Sequence, residues 1–468
     1  MILTEVEIQI PETERRDGLI GYLAKGVAQR IPSGSTPVRF AVTRSLEGSY
    51  ECEVGVLEES AVAGSARPAS IFEFVPRSTE SSEAFNIVLL VPTGIGAEVG
   101  GHAGDAAPVA RVLAEVADTL ITHPNVVNAS DINELPENGL YVEGSVLTRL
   151  LMGTASLQPV RSNRILVVID AHRDELFRNA AINAVNAARA AYGLRCSEVV
   201  MLDPPVRLYA RYSSSGAAAG RIEQLDGLWR LLQDHWGSFD AVALSSVIDV
   251  PYQYHSDYFE RGGEMVNPWG GVEAMLTHTL SSIFDVPSAH SPMFESQEIA
   301  NADPGIVEPR MAAEAVSLTF LQCVLKGLHR SPRIITERRT MSQRGAITAS
   351  EVSCIIIPDG CLGLPTLAAL EQGIPVIAVR ENKNLMQNDL STLPWDSDRF
   401  FIVENYWEAA GVASALKAGI DPRVVRRPIK CVSLRSAGNA EQSNLLMQSG
   451  SAEAGSLLRY RASQRSKE

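Results

Sequence analysis

No apolar run in the chain reaches the eighteen or so residues needed to cross a bilayer, which argues against a membrane-spanning helix. There is no dense Lys/Arg block, and 41 basic side chains against 55 acidic ones leave a net charge of −14. Nucleic-acid binding needs a basic face, so this balance argues against it. The short Arg333–Arg344 stretch lies among polar residues and reads as a solvated loop. Cysteine is sparse: Cys52, Cys196, Cys323, Cys354, Cys361 and Cys431 show no CxxC spacing. Several sit in apolar runs as buried free thiols do, which points to a reducing compartment without structural disulfides. HExxH, the P-loop and the dinucleotide fingerprint are all missing, so neither a metal nor a cofactor is specified. Met1 to Pro11 alternates apolar and charged residues like a strand and lacks the layout of a signal peptide. The expectation is a cytoplasmic protein.

What is present is an ordinary globular composition, 45% hydrophobic and 21% charged, over 468 residues. That length allows several domains with large cores. Residues 1–81 read as a small α+β unit, with strands over Ile2–Ile10, Pro37–Val42 and Tyr50–Leu57 around a helix over Gly18–Gln29. From Asn86 the pattern changes to apolar runs alternating with helical periodicity, the mark of βαβ units and a parallel sheet. Helices are expected over 108–119, 175–192, 224–236, 270–284 and 310–328, with strands over 86–91, 120–122, 164–169, 198–202 and 241–247. A third α/β block carries strands over 354–357, 375–379 and 400–403, and helices over 363–372 and 406–418. The fold class is therefore α/β, with a small N-terminal α+β unit (1–81), a main domain (86–340), a C-terminal Rossmann-like block (345–432) and a disordered tail (433–468).

Four segments could carry chemistry. In the first, Val91 to Asp105, five glycines in eleven residues follow a buried strand and precede a helix. Such a turn lets the backbone approach a ligand, and its N–H groups can form an anion site at the carboxyl edge of the sheet. Thr93, Gly94, Gly96, Gly100 and Gly101 are the candidate ligand contacts, with His102 and Asp105 as proton-transfer or orienting groups. The alternative is a tight connecting loop with Asp105 as a helix cap. The second segment, Thr122 to Asp131 followed by Tyr141–Gly144, would emerge beside that turn. It offers His123 and Glu143 for proton transfer and Asn125 and Asn128 for hydrogen bonding, although turn and cap roles explain the same residue types.

The third segment runs from His255 through Asn267-Pro268-Trp269-Gly270-Gly271 to Glu273 and His278, with His290, Glu295 and Glu298 beyond. Glu273 and His278 are five apart and share a helix face poorly, so a polar loop near the ligand is expected rather than a metal site. The fourth is Asp359 to Thr366 with Glu371 to Asn384, a strand, glycine turn, helix and strand ending in a polar loop. It contributes Gly360, Glu381 and Asn382 as candidate ligand residues. Gly360, Gly363, Glu371, Gly373 and Pro375 resemble the nucleotide-sugar half of two-domain glycosyltransferases, and a generic Rossmann-like repeat gives the same punctuation.

As a whole, the chain resembles the family called domain of unknown function 3326, of photosynthetic bacteria and plastids. The resemblance rests on Pro92–Asp105, His123-Pro124-Asn125, Tyr141–Gly144 and Asn267–Gly271, and covers nearly everything but the tail. It implies no activity and no site residues. The residues themselves support three readings. One is an enzyme acting on a phosphorylated or carboxylated metabolite, with a small-molecule anion as its partner. The others are a nucleotide-sugar enzyme with its cleft between 86–340 and 345–432, and a non-catalytic metabolite sensor. The oligomeric state, including a homo-oligomer, stays open.

Overall fold

Two sheets organise the protein in the computed structural model, which describes residues 1–13, 18–46, 48–58, 69–196, 198–317, 319–337, 340–341, 344–396, 398–429, 431–432 and 434. The first is a six-stranded parallel sheet. Its spatial order is Phe400–Val403, Val376–Val379, Val352–Pro358, Asn86–Leu89, Thr119–Thr122 and Gly139–Tyr141. Parallel strands covered on both faces are apolar along their length, and Ile87, Val88, Leu89, Ile355, Ile356 and Ile357 are all fully buried. Burial of each such side chain contributes about 1.5–3 kcal/mol. This sheet crosses the expected boundary at 341–344, because Val352–Pro358 pairs with both Asn86–Leu89 and Val376–Val379. The strands assigned to 86–340 and to 345–432 thus share one layer.

The second sheet is ten-stranded among the described residues and mixed. Ile165–Asp170, Val199–Leu202, Ala241–Asp249 and Ser288–Met293 run parallel. The N-terminal strands Ile2–Pro11, Ser35–Leu46 and Ser49–Glu58 continue it antiparallel. They join through Arg207–Tyr212 and Ala218–Glu223, two strands the sequence pattern did not single out. The expected N-terminal unit therefore completes a sheet rather than standing alone, and Met1–Gly419 forms one compact unit. In the second unit, Ile420–Glu468, the described helix is Pro422–Val425. Apart from Leu434, the expected tail at 433–468 lies outside the described residues.

Most expected helices form with ends within three residues of those expected: Ala107–Val116, Glu175–Tyr192, Leu225–Asp234, Gly270–Phe284, Leu364–Gln372 and Tyr406–Lys417. The helix expected over 310–328 does not run through. Pro309–Met311, Ala312–Ala315 and Leu321–His329 are separate turns and helices. Between them Ser317 and Thr319 donate their hydroxyls to the Asp131 carboxylate, side-chain bonds that compete with helix continuation. No helix among the described residues is long and apolar enough to cross a membrane. All six cysteines are free thiols, five of them buried.

Candidate functional site

The carboxyl ends of three neighbouring parallel strands meet at one place. The glycine turn leaves Asn86–Leu89, His123 follows Thr119–Thr122, and Glu143 follows Gly139–Tyr141. Facing them is the helix Gly270–Phe284. Asn267 starts this helix by accepting N–H bonds from Trp269 and Gly270 at 3.0 and 3.4 Å. Gly271 lets it pack close, since a Cβ there would lie 2.1 Å from the Ala218 carbonyl oxygen. A cavity of about 530 Å³ opens between these parts. Of the residues expected at the site, Thr93, Gly94, Gly101, His102, His123, Asn125, Asn128 and Glu143 border it.

The other expected residues do not border that cavity. Asp105 turns inward and accepts the N–H groups of Gly100, at 3.0 Å, and of His102. Further amides of the same turn are also taken: Glu98 donates to the Lys383 carbonyl, Val99 to Asn382 and Ala103 to Glu314. The N–H groups of Glu98, Val99, Gly100, His102 and Ala103 thus have acceptors within the protein, and of the five expected ligand contacts Gly100 is among them. Gly96, at φ 62°, faces Val266 and Leu385, and a Cβ at Gly100 would strike Val91 at 2.8 Å. Asn382 clamps the turn through both the N–H and the carbonyl of Val99 and donates to the Tyr406 hydroxyl. Glu381 accepts the Tyr406 N–H, and a Cβ at Gly360, at φ 83°, would meet the Met386 carbonyl. These residues hold the glycine turn in shape instead of facing the cavity.

Among those that do border it, several have structural partners. Asn125 donates to the carbonyls of Val91 and Gly100 at 3.0 and 2.7 Å, and Asn128 pairs with the Tyr141 hydroxyl. His123 accepts the Val91 N–H on Nε2 at 3.1 Å. Burial pushes its pKa down to about 4, so the ring is neutral. His102 is likewise held at about 4 by burial, with Nδ1 2.7 Å from the Tyr258 hydroxyl. Glu314 is pushed up to about 7 by burial, as is Asp105.

The strongest chemistry lies in two pairs of opposite construction. In the first, Glu143 is the buried member, with a side chain 3% exposed against 19% for His278, which it contacts through Nδ1. Burial works against the Glu143 charge, but His278 and the N–H and hydroxyl of Ser145 outweigh it and hold the carboxyl below its usual range. Gly144 leaves room for the ring: a Cβ there would lie 2.9 Å from His278 Cε1. In the second pair His290 is the buried member, 1% exposed against 25% for Glu273, with Nδ1 2.8 Å from the carboxylate. A carboxylate only accepts, so Nδ1–H donates and Nε2 takes the Ser246 hydroxyl at 2.6 Å. One pair presents an imidazole to the cavity and the other a carboxylate.

Glu273 and His278 sit about 140° apart around their helix, yet both border the cavity. Thr277 lies between them and donates to Glu143 at 3.3 Å. Helix spacing does not show this, because the partners of His278 and Glu273 are Glu143 and His290, on other elements. No group of three or more His, Cys, Asp or Glu among the described residues is arranged to hold a metal ion.

The model of a family described as protein of unknown function, domain of unknown function 3326, matches residues 86–426. A protein named as an uncharacterized lipoprotein, from a Synechococcus strain, is 36% identical over 340 residues, which are 72% of this chain and 91% of that protein. No solved structure matches the chain. The matched span holds both histidine–carboxylate pairs and the whole glycine turn.

Proposed function

The chain belongs to that family of unknown function, and from this site we propose that it is an enzyme that converts a small polar metabolite by general acid–base catalysis in the 530 Å³ cavity. The observation that carries this reading is the pair of inverted dyads. The Glu273 carboxylate, backed by His290 and Ser246, is the group that takes a proton; the His278 imidazole, backed by Glu143, is the group that returns one. The two pairs thus bring a proton-accepting carboxylate and an imidazole to the same cavity, the two kinds of group that acid–base chemistry needs. His102 and His123, neutral near pH 7, serve as hydrogen-bonding walls. A Rossmann-like parallel sheet is part of the same proposal, supported by the parallel strand order and by a site at the carboxyl ends of the strands. So is a cytoplasmic location, supported by the five buried free thiols.

A phosphorylated or carboxylated ligand draws less support, because the N–H groups of Glu98, Val99, Gly100, His102 and Ala103 in the glycine turn are already bonded. A nucleotide-sugar cleft between 86–340 and 345–432 also draws less, because the strands of both share one sheet.

The test is turnover. The purified protein is incubated with fractionated metabolite extracts in heavy water, and the fractions are followed by mass spectrometry. A product or a deuterium-exchanged metabolite that vanishes with Glu273→Gln and with His278→Gln supports the reading. Binding without conversion in every fraction sinks it in favour of a non-catalytic sensor.

A further inference from the structure

The charge of the cavity wall is one-sided. Among its described lining residues there is no Lys or Arg, while Glu143, Glu260, Glu273, Glu295, Asp303 and Glu314 all border it. Two of these carboxylates are matched by the imidazoles of the inverted pairs, Glu295 faces Arg173 and His255, and Glu260, Asp303 and Glu314 remain. Glu260 and Asp303 are exposed and mark the mouth, whereas Glu314 reaches the Ala103 N–H deeper in. Arg173 lies 3.8 Å from Glu295, but its side chain is 74% exposed and it does not line the cavity.

The remaining wall is aromatic, with Phe259, Trp269, Phe294 and Phe320 bordering the same space. Ring faces attract cations and offer nothing to anions. An unpaired polar group borders it too: Ser130 is 4% exposed, is held at φ 57°, and its hydroxyl finds no partner among the described residues. The neutral rings of His102 and His123 add no positive charge.

We propose that the metabolite bound here carries a positive charge, as a small amine does. The proposal rests on the reading of this cavity as the ligand site. An ammonium group would sit among the rings and the carboxylates, with the rim acids at Glu260 and Asp303 drawing it in over a distance set by the salt. An anion of the same size would meet those carboxylates with no Lys or Arg in the lining to offset them; Arg310, whose charge acts on His102, is itself paired with Glu98 and Glu308. Glu314, half-protonated near pH 7 in the free protein, where it accepts from Ala103, Asn267 and Tyr258, would lose its proton as the cation binds.

The full-chain protein is titrated with butylamine, butyrate and butanol, which share one carbon skeleton, by ligand-observed NMR at low and high salt. The expected result is binding of butylamine at least about tenfold tighter than of the other two, a gap of about 1.4 kcal/mol. Added salt should weaken it, and calorimetry in two buffers should detect a released proton. Glu314→Gln should weaken butylamine severalfold and abolish the proton release. Asp303→Asn, on the exposed rim, should weaken it more at low salt than at high salt, and it guards against a folding defect in the buried variant. Butyrate or butanol binding as tightly as butylamine overturns the proposal, and so does no binding of any probe or no effect of either variant. Selective amine binding without turnover of any metabolite keeps this inference and removes the enzymatic one; dyad-dependent turnover of an anion does the reverse.

Discussion

Glu143–His278 and Glu273–His290 use the same two residue types and bury them in opposite order. Glu143 is enclosed because it ends the strand Gly139–Tyr141 and caps the helix Gly144–Leu151, so its oxygens are taken by Ser145 and His278. His290 is enclosed because it lies within the strand Ser288–Met293, beside Ser246 on the paired strand. All four residues line the cavity, and in each pair the more exposed member is the one more open to a ligand. Burial, more than residue type, thus decides which group can exchange protons with a ligand.

The largest expected effect tests that division directly. Glu273→Gln and His278→Gln should each lower kcat by about a hundredfold to ten-thousandfold, the usual worth of a positioned acid or base. If only one of them does, the two pairs are not the two halves of one reaction. Next in size is a stability difference, read from urea midpoints. Glu143→Gln leaves His278 without its buried counter-charge and should cost about 3 kcal/mol or more, the range for breaking a buried pair. Glu273→Gln, at the cavity surface, should cost about 1 kcal/mol or less.

The Glu143 deficit should also depend on pH. Its folded pKa lies below the unfolded value of 4.5. Its stabilisation is therefore complete above pH 4.5 and is lost as acid protonates the folded carboxyl, so wild type and variant should converge at low pH.

Asp105 sharpens the contrast from the other side. Its folded pKa, about 7, stands above the usual 3.8, so burial makes the charged form costly. Between those two values the folded state binds the extra proton, and stability falls as pH rises from 4 through 7. Asp105→Asn should flatten the pH profile of unfolding free energy between pH 4 and 7, by about 1.4 kcal/mol per pH unit. His102 and His123 work in the opposite sense. With folded values near 4 against 6.5, they lose stability as pH falls from 6.5 to 4. The smallest effect is expected of Ser246→Ala. It removes one bond behind His290, worth about 1 kcal/mol, and should lower kcat by up to about tenfold with KM unchanged.

Local patterns carried well into the structure. The apolar run at Asn86–Leu89, the Ala-rich helix Glu175–Tyr192 and its Gly193 stop at φ 66° are set by near neighbours and were legible. So was the arrival of the glycine turn, His123 and Glu143 at one edge, which follows from their places just beyond the carboxyl ends of three parallel strands. The glycine turn's own chemistry was not legible. The same glycines that suit a ligand also suit packing against Val91, Ala129 and Ala218, and nothing nearby says that Asp105 and Asn382 use the amides. The parallel sheet shared by Val352–Pro358 and Asn86–Leu89 spans more than 260 residues of chain and leaves no local trace.

By itself, the sequence determined the α/β class, most helices and strands, the lack of a membrane-spanning helix among the described residues, and a polar edge where chemistry could occur. These follow from periodicity, composition and the stereochemistry of glycine and proline, all short-range properties. Only the tertiary structure decided which carboxylate meets which imidazole, since Glu143 and His278 approach from distant parts of the chain. It also decided that the cavity is lined by carboxylates and aromatic rings, and that Asp105, Asn382, Lys383 and Glu314 take amides of the glycine turn. Those outcomes depend on desolvation and close packing between elements far apart in the chain, and no local window of residues encodes them.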